Sequence, residues 1–110
     1  MLIQSSQAFT ALQTIDDVLV NNLLASNFRR NYAVSYALVA SATGLSMDLK
    51  VGLNMVAQNV LPSLLNRFPV MPDDYLGVFG VMPGDRIILT GRETSNNART
   101  LFFGFRFRPV

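Results

Sequence analysis

Three carboxylates in the second half of the chain are the first residues that could do chemistry, namely Asp73-Asp74 and Asp85. Carboxylates brought together could bind a calcium ion or act as an acid and base pair. The chain has no histidine and no cysteine, so the commonest general base and all thiolate sites are missing. The adjacent Pro72 and Pro83-Gly84 are turn residues, and the spacing is not that of an EF-hand. The sequence therefore favours turn-stabilising aspartates and predicts no catalytic residue, no metal site and no cofactor.

Arginines are the second group with chemical potential, since five of the eight lie between Met82 and the last residue. The five are Arg86, Arg92, Arg99, Arg106 and Arg108. They could contact phosphates of a nucleic acid, pair with carboxylates of a neighbouring subunit, or form solvated cross-strand pairs with Glu93 and Asp85. Eight arginines against one lysine favour the subunit contact, because stable interfaces are enriched in arginine and depleted in lysine. Nucleic acid stays a possible but less favoured partner.

The composition indicates a small domain with more apolar surface than it can bury. Hydrophobic residues make up 50% and charged residues 15% of the 110 residues, where soluble domains carry about 25% charged residues. Such a surplus predicts a partner or a second copy that covers it. The densest apolar run, Tyr32 to Ala42, is too short to cross a bilayer, so no transmembrane span is expected. The net charge of +2 is mild, and MLIQSSQ lacks the pattern of a secretory signal.

Alternating apolar residues predict strands as the elements that position these groups. Residues from Arg29 to Ala42 alternate between a heavy face and a small-residue face, and those from Met47 to Ala57 are apolar at every odd position. A rival helix over the same residues is disfavoured by Gly52 and Pro62. Gly52 is expected to mark a bulge, or a bend where this second strand could pass from one sheet to the other. Met82 to Val110 is expected to form one long β-hairpin. Its last strand should turn Leu101, Phe103, Phe105 and Phe107 inward and Phe102, Arg106 and Arg108 outward.

Two segments allow more than one interpretation. Ser5 to Asn27 has helical spacing at Leu12, Ile15 and Leu19, yet its β-branched residues favour short strands. The segment from Val60 to Asp74 is rich in both proline and apolar residues, which places it on the surface. Its apolar residues are either a strip that binds a partner or a membrane surface, or a loop folded back over an open end of the domain. They include Leu61, Leu64, Leu65 and Phe68.

Several short motifs together resemble a class of small β-sandwich virion proteins of bacteriophages, the minor capsid or decoration subunits with a jelly-roll-like fold. The matching stretches are Ser41 to Leu45, Val51 to Asn54, Arg67 to Asp74, Pro83 to Ile87 and Leu101 to Val110. They cover about the last three quarters of the chain and leave Met1 to Arg29 unplaced. The resemblance implies a structural subunit of a symmetric shell or spike, without catalysis.

The sequence thus predicts an all-β protein in which residues 1–110 form a single antiparallel β-sandwich, jelly-roll-like, with seven or eight short strands. It is expected to be a non-enzymatic capsid, decoration or spike-base subunit, located in the virion after synthesis in the host cytoplasm. Its partners would be further copies of itself and other virion proteins. The residues expected at the oligomer interface are Leu61, Leu64, Leu65, Phe68, Phe102, Arg106 and Arg108. The alternative is a carbohydrate- or ligand-binding β-sandwich in which Tyr32, Tyr36 or Tyr75 forms a stacking platform.

Overall fold

The protein is all-β, as predicted. The computed structural model describes residues 2–20, 28–65, 67–69, 74–75 and 77–110. Within these ranges there is no helix, and hence none that could cross a membrane. The strands are β1 (Leu2–Phe9), β2 (Thr14–Ile15), β3 (Tyr32–Ala40), β4 (Leu45–Val51), β5 (Asn54–Val60), β6 (Ser63–Leu64), β7 (Gly77–Val81), β8 (Ile87–Glu93) and β9 (Arg99–Pro109).

The strands form two sheets in which almost all neighbours are antiparallel. Sheet 1 has the order β1-β9-β3, and the other edge of β3 pairs with β7 along its first half and with β6 at its end. Sheet 2 has the order β2-β8-β4-β5. The exception to antiparallel pairing is the short parallel contact of β6 with β3. The structure thus has nine described strands, where seven or eight were predicted. Two of the nine, β2 and β6, contain only two residues each.

Four of the antiparallel pairs are nested in the order of the chain. The first strand pairs with the last, β1 with β9, and inside that pair lie β2 with β8, β3 with β7, and β4 with β5. Members of these pairs alternate between sheet 1 and sheet 2 along most of the chain. The chain is thus folded back on itself once, with its midpoint at the turn between β4 and β5.

Both sheets direct their alternate side chains into one hydrophobic core. Sheet 1 contributes Val34 and the β9 residues Leu101, Phe103, Phe105 and Phe107, and sheet 2 contributes Met47, Leu49, Ile87 and Leu89. Phe105 is completely buried, with Ile3 opposite it on β1 and Tyr36 opposite it on β3. Because a phenylalanine side chain buries a large apolar area, β9 stabilises the core from the middle of sheet 1.

The prediction of a C-terminal β-hairpin is wrong. The inward and outward residues of β8 and β9 alternate as expected, but the two strands do not pair with each other. β8 lies in sheet 2 between β2 and β4, and β9 lies in sheet 1 between β1 and β3. Residues 94–98 therefore cross from one sheet to the other over the core. Alternation reports only which face of a strand is buried, so it is the same in a hairpin and in such a crossing.

Gly52 also has a different role from the one predicted. It does not bend a single strand between sheets, because β4 and β5 are antiparallel neighbours within sheet 2 and Gly52-Leu53 is the turn between them. Gly52 has a φ of 59°, which a glycine adopts without steric cost. The inward odd positions of β4 do not continue through the turn, because Met55 lies opposite the outward-facing Lys50 and is 45% exposed. A shift in register then brings Ala57 opposite the buried Leu49.

Near the N-terminus the strand interpretation is confirmed only in part, because residues 10–13 and 16–20 lie outside the strands. β1 covers Leu2–Phe9 and β2 covers Thr14–Ile15, while the part of the uncertain segment at 21–27 lies outside the described residues. Leu19 is buried in the core, and its backbone N–H donates to the carboxylate of Asp17 at 3.0 Å. Of the three apolar residues at helical spacing, Leu19 contacts the core from a turn and Ile15 from β2, whereas Leu12 is exposed.

Candidate functional site

The outer face of sheet 1, the face turned away from the core, carries most of the residues that the sequence singled out. On β9 this face presents Phe102, Gly104, Arg106 and Arg108, and the residues opposite them on β3 are Val39, Ala37, Ser35 and Ala33. The β3 side chains are all smaller than the phenylalanine and the arginines, so the β9 side chains stand above them. The outer face has two halves, one covered by the chain itself and one open.

The covered half lies at Phe102 and Gly104. The Phe68 ring packs edge-on against the Phe102 ring, with 5.0 Å between ring centroids and an interplanar angle of 71°. The Nε2 group of Gln4 donates to the carbonyl oxygen of Pro69 at 2.8 Å. Val39 is completely buried underneath, although it points away from the core. Phe102, expected to face a neighbouring subunit, is therefore half-buried under a segment of its own chain.

Tyr75 completes this cover. A Cβ atom added at Gly104 would overlap the Tyr75 hydroxyl and would lie 2.8 Å from the ring carbon that bears it. The hydroxyl is buried and has no hydrogen-bond partner among the described residues. Burial, helped by the negative charge of Asp74, raises the pKa of Tyr75. The absence of a side chain at Gly104 thus makes the space in which the phenol ring lies.

The open half lies at Arg106 and Arg108. Both side chains are exposed, and neither has an acidic group within ion-pair distance among the described residues. Together with Ala33, Ser35 and Val78 they line a groove of about 140 Å³. The floor of this groove is made of small side chains, so both guanidinium groups are free to approach a ligand.

The other arginines of the predicted set are held by internal partners. Arg86 pairs with Asp17 at 2.6 Å, and Arg99 donates through Nε to the carbonyl oxygen of Thr43 at 2.7 Å. Arg92 donates to both carboxylate oxygens of Asp48, at 2.9 and 3.2 Å. This hydrogen-bonded pair lowers the pKa of Asp48 and raises the pKa of Arg92. The five arginines predicted as one basic group are therefore two free and three engaged side chains.

Most carboxylates are engaged as well. Asp74 pairs with Arg67 at 2.6 Å, and Asp85 accepts the backbone N–H of Met82 at 2.8 Å, which closes the Pro83-Gly84 turn as predicted. Asp73 lies outside the described residues. No group of three acidic residues that could hold a metal ion occurs in the described part of the chain. Asp16 is exposed.

Glu93 is a buried charged residue at the end of β8, where the chain crosses between the sheets. Its carboxylate accepts hydrogen bonds from the Ser95 hydroxyl at 2.6 Å and from the backbone N–H groups of Ser95, Asn97 and Leu12. Burial alone would raise the pKa of Glu93, but these hydrogen bonds outweigh it and lower the pKa to about 2. Glu93 therefore organises the connection between β8 and β9, and within the described part of the chain it forms no ion pair with an arginine.

The apolar residues of the predicted interface lie at the other end of sheet 1. Leu61 and Leu64 are 79% and 56% exposed and line a second groove of about 140 Å³ near the turn between β3 and β4. Leu65 is half-buried. Leu64 pairs with Ala40 and Arg108 pairs with Ala33, seven residues apart on β3, which is about 23 Å along a strand. The structure brings the seven predicted residues together in three separate groups: Leu61 with Leu64 and Leu65, Phe68 with Phe102, and Arg106 with Arg108.

The three tyrosines do not share a platform. Tyr32 and Tyr36 lie on the core side of β3, where Tyr32 packs against Phe107 with ring centroids 5.9 Å apart. Tyr75 lies over Gly104 on the opposite face of the same sheet. Tyr32 and Tyr36 share one face of β3, but that face is packed against the core, so the two rings do not form an open surface on which a sugar could stack.

Sequence reasoning missed Ser35 and Val78, which flank the arginines in the open groove. Ser35 was seen as part of a small-residue face of β3, and the signal that could have found it is its register opposite Arg106. That register depends on which strands pair, and the hairpin prediction had assigned β9 a different neighbour. Comparisons of the chain with protein-family models, with curated proteins and with solved structures gave no significant match.

Proposed function

We propose that the chain is a non-enzymatic structural subunit of a virion, a β-sandwich of jelly-roll topology that assembles with further copies of itself. The nested strand pairing is the observation that carries this proposal. A jelly roll has eight strands in two sheets joined as two Greek keys. The four nested pairs of this chain give the strand orders β1-β9-β3-β7 and β2-β8-β4-β5. A jelly roll has these orders because a long antiparallel hairpin of four strand pairs is rolled up into two sheets. In this assignment the two-residue β6 is an addition to the edge of sheet 1.

The jelly-roll topology limits the candidate functions, because it occurs mainly in viral capsid domains, lectin domains and cupins. The chain has no histidine for a metal-dependent cupin chemistry, and Tyr32 and Tyr36 pack against the core while Tyr75 lies alone on the outer face of sheet 1. A capsid, decoration or spike-base subunit needs neither, and it would be made in the host cytoplasm and end in the virion. The resemblance of the turn motifs to small phage virion proteins points in the same direction.

Exposed apolar side chains support assembly. Leu61 and Leu64 line an exposed apolar groove; Leu64 is on β6 and Leu61 shortly precedes β6, at an edge of sheet 1. Burying this patch against a second copy stabilises the assembly through the apolar area removed from water. Other virion proteins could contact the same edge, but a copy of the chain is the partner that a purified protein can test.

Light scattering coupled to size exclusion over a concentration series tests the proposal. We expect a mass that is a multiple of 12.1 kDa and that falls on dilution. In the double variant Leu61→Ser and Leu64→Ser, the monomer should predominate while the melting temperature stays unchanged. Leu53→Ser is the matched control, because Leu53 is fully exposed at the turn between β4 and β5 in sheet 2. A wild-type protein that stays monomeric at the highest concentration reached would contradict the proposal.

A further inference from the structure

We propose that the open half of the outer face binds the phosphodiester backbone of single-stranded nucleic acid. Arg106 and Arg108 would hold successive phosphates, and the exposed ring of Phe68 would stack with a base. This binding activity does not depend on the proposed assembly, since it uses the opposite end of sheet 1 from Leu61 and Leu64.

The arginine pair has the geometry for phosphates. Residues 106 and 108 point to the same side of β9, and positions two apart on a strand are about 6.7 Å from each other. The planar guanidinium group donates two parallel hydrogen bonds to a phosphate, which an ammonium group does not do. Ser35 lies opposite Arg106 and adds a hydroxyl donor to the groove floor, while Ala33 opposite Arg108 leaves room.

Among the described residues, no carboxylate pairs with Arg106 or Arg108. Of the six described carboxylates, Asp17, Asp48 and Asp74 are in ion pairs, Asp85 closes a turn and Glu93 is buried in hydrogen bonds. A second copy would therefore offer Asp16 as its exposed carboxylate in the described part of the chain, against at least two unpaired arginines. Charge complementarity thus points to an anion from a different kind of molecule.

One further feature of this face, the exposed ring of Phe68, favours nucleic acid over an acidic protein. Phe68 is 46% exposed and lies on the same face as the arginines, above Phe102. Proteins that bind single strands without sequence preference combine a basic groove with exposed rings on which bases stack. A polycarboxylate partner would gain nothing from the ring.

Two more arginines lie at the same end of sheet 1. Arg29 and Arg30 are exposed, and they immediately precede Asn31, whose carbonyl oxygen accepts the backbone N–H of Val110 at 3.2 Å. Tyr32 pairs with Pro109, so the start of β3 and the end of β9 are side by side. Half of the eight arginines of the chain are thus placed around one end of the sheet.

Fluorescence anisotropy with a labelled oligothymidylate of about 20 nucleotides measures the activity. Each phosphate contact to a single strand changes the logarithm of affinity by about 0.7 per logarithm of salt concentration. For the double variant Arg106→Gln and Arg108→Gln, which removes two phosphate contacts, we expect the salt slope to fall by about 1.4. With the two contacts contributing nothing at about 1 M salt, the affinity at about 50 mM salt should then fall roughly 60-fold. The double variant to lysine should keep the slope and lose less affinity, because it keeps the charge and loses the planar fork.

Lys50→Gln is the control, because Lys50 lies on β4 in sheet 2 and should leave affinity and slope unchanged. Thermal melting of every variant establishes that the fold is intact, and the lysine variant supplies the comparison if the glutamine variant unfolds. No binding of the wild-type protein at low salt would overturn the proposal. Equal losses of DNA affinity in the arginine variant and in Lys50→Gln would also overturn it. So would polyglutamate that binds as tightly as the oligothymidylate and displaces it. A change in oligomeric mass without a change in DNA binding would assign the arginines to a contact between copies instead.

Discussion

The contact between Gly104 and Tyr75 gives the sharpest test of how the outer face of sheet 1 is covered. A methyl group at Gly104 would overlap the Tyr75 phenol, and the glycine is buried between β1 and β3. Overpacking of this kind destabilises a protein by about 1 to 3 kcal/mol. Gly104→Ala should therefore lower the melting temperature by roughly 4 to 12 °C, at about 4 °C per kcal/mol for a domain of this size.

Gly80→Ala is the matched control for that substitution. Gly80 is also in sheet 1, on β7, and an added Cβ would meet only the carbonyl oxygen of Tyr32 at 4.0 Å, which is an ordinary contact. We expect no loss of stability, and a gain of about 0.5 kcal/mol is consistent with the entropy that glycine loses in a strand. A loss in Gly80→Ala as large as that in Gly104→Ala would mean that strand glycines matter here for another reason.

A double-mutant cycle with Tyr75 separates the ring contact from other effects of Gly104. In a Tyr75→Ala background the alanine at position 104 meets open space, so its effect should fall close to zero and the coupling energy should be about 1 to 3 kcal/mol. Urea unfolding of the four proteins measures this energy. Additive effects of the two substitutions would refute the placement of Tyr75 over Gly104.

Tyr75→Phe examines the hydroxyl alone. The hydroxyl is buried without a partner among the described residues, and an unsatisfied polar group costs about 1 to 3 kcal/mol. Its removal should therefore stabilise the protein at neutral pH. Since burial raises the pKa of Tyr75 above 10.0, the folded state keeps the proton longer than the unfolded chain. Wild-type stability should fall as the pH rises above 10, and Tyr75→Phe should remove that component.

Two further substitutions test the core and the crossing between the sheets. Phe105→Ala empties a completely buried position in the middle of sheet 1 and should destabilise the fold by about 3 to 5 kcal/mol, whereas Arg106→Ala next to it should change stability by less than about 0.5 kcal/mol in the same urea titration. Equal losses would contradict the inward and outward assignment of β9. Glu93 has its pKa lowered from 4.5 to about 2, so its contribution to stability is complete above pH 4.5 and is lost as the pH falls from 4.5 to about 2. Acid titration of thermal stability should show this loss in the wild-type protein, and Glu93→Gln should be less stable at neutral pH and flatter over that range.

The burial pattern of β3, β4, β8 and β9 could be predicted from the sequence because alternation is a property of each strand by itself. Leu101, Phe103, Phe105 and Phe107 are buried as expected. The partner of a strand is a different kind of information, since a strand has the same pattern beside its neighbour in sequence as beside a distant strand. This is why β8 and β9 were assigned to one hairpin although they lie in different sheets.

The cover over Phe102 could not be predicted for a related reason. It depends on contacts between distant parts of the chain, such as the hydrogen bond from Gln4 to Pro69, which are 65 residues apart. The sequence did contain a trace of it, in the small side chains on one face of β3 and in Gly104. Small residues on an outward face indicate that something packs there, but they do not say which segment does so.

Charge and cover together divide the predicted interface into surfaces for which we propose different partners. Phe102 and Arg106 point to the same side of β9, yet the chain covers the first and leaves the second exposed. Arginine ends of two copies would repel each other, because the described carboxylates are almost all engaged within the chain. The Leu61 and Leu64 end has no such repulsion and is apolar. Contacts between copies are therefore expected at the apolar end of sheet 1, which leaves the arginine end of the same sheet free for an anionic polymer.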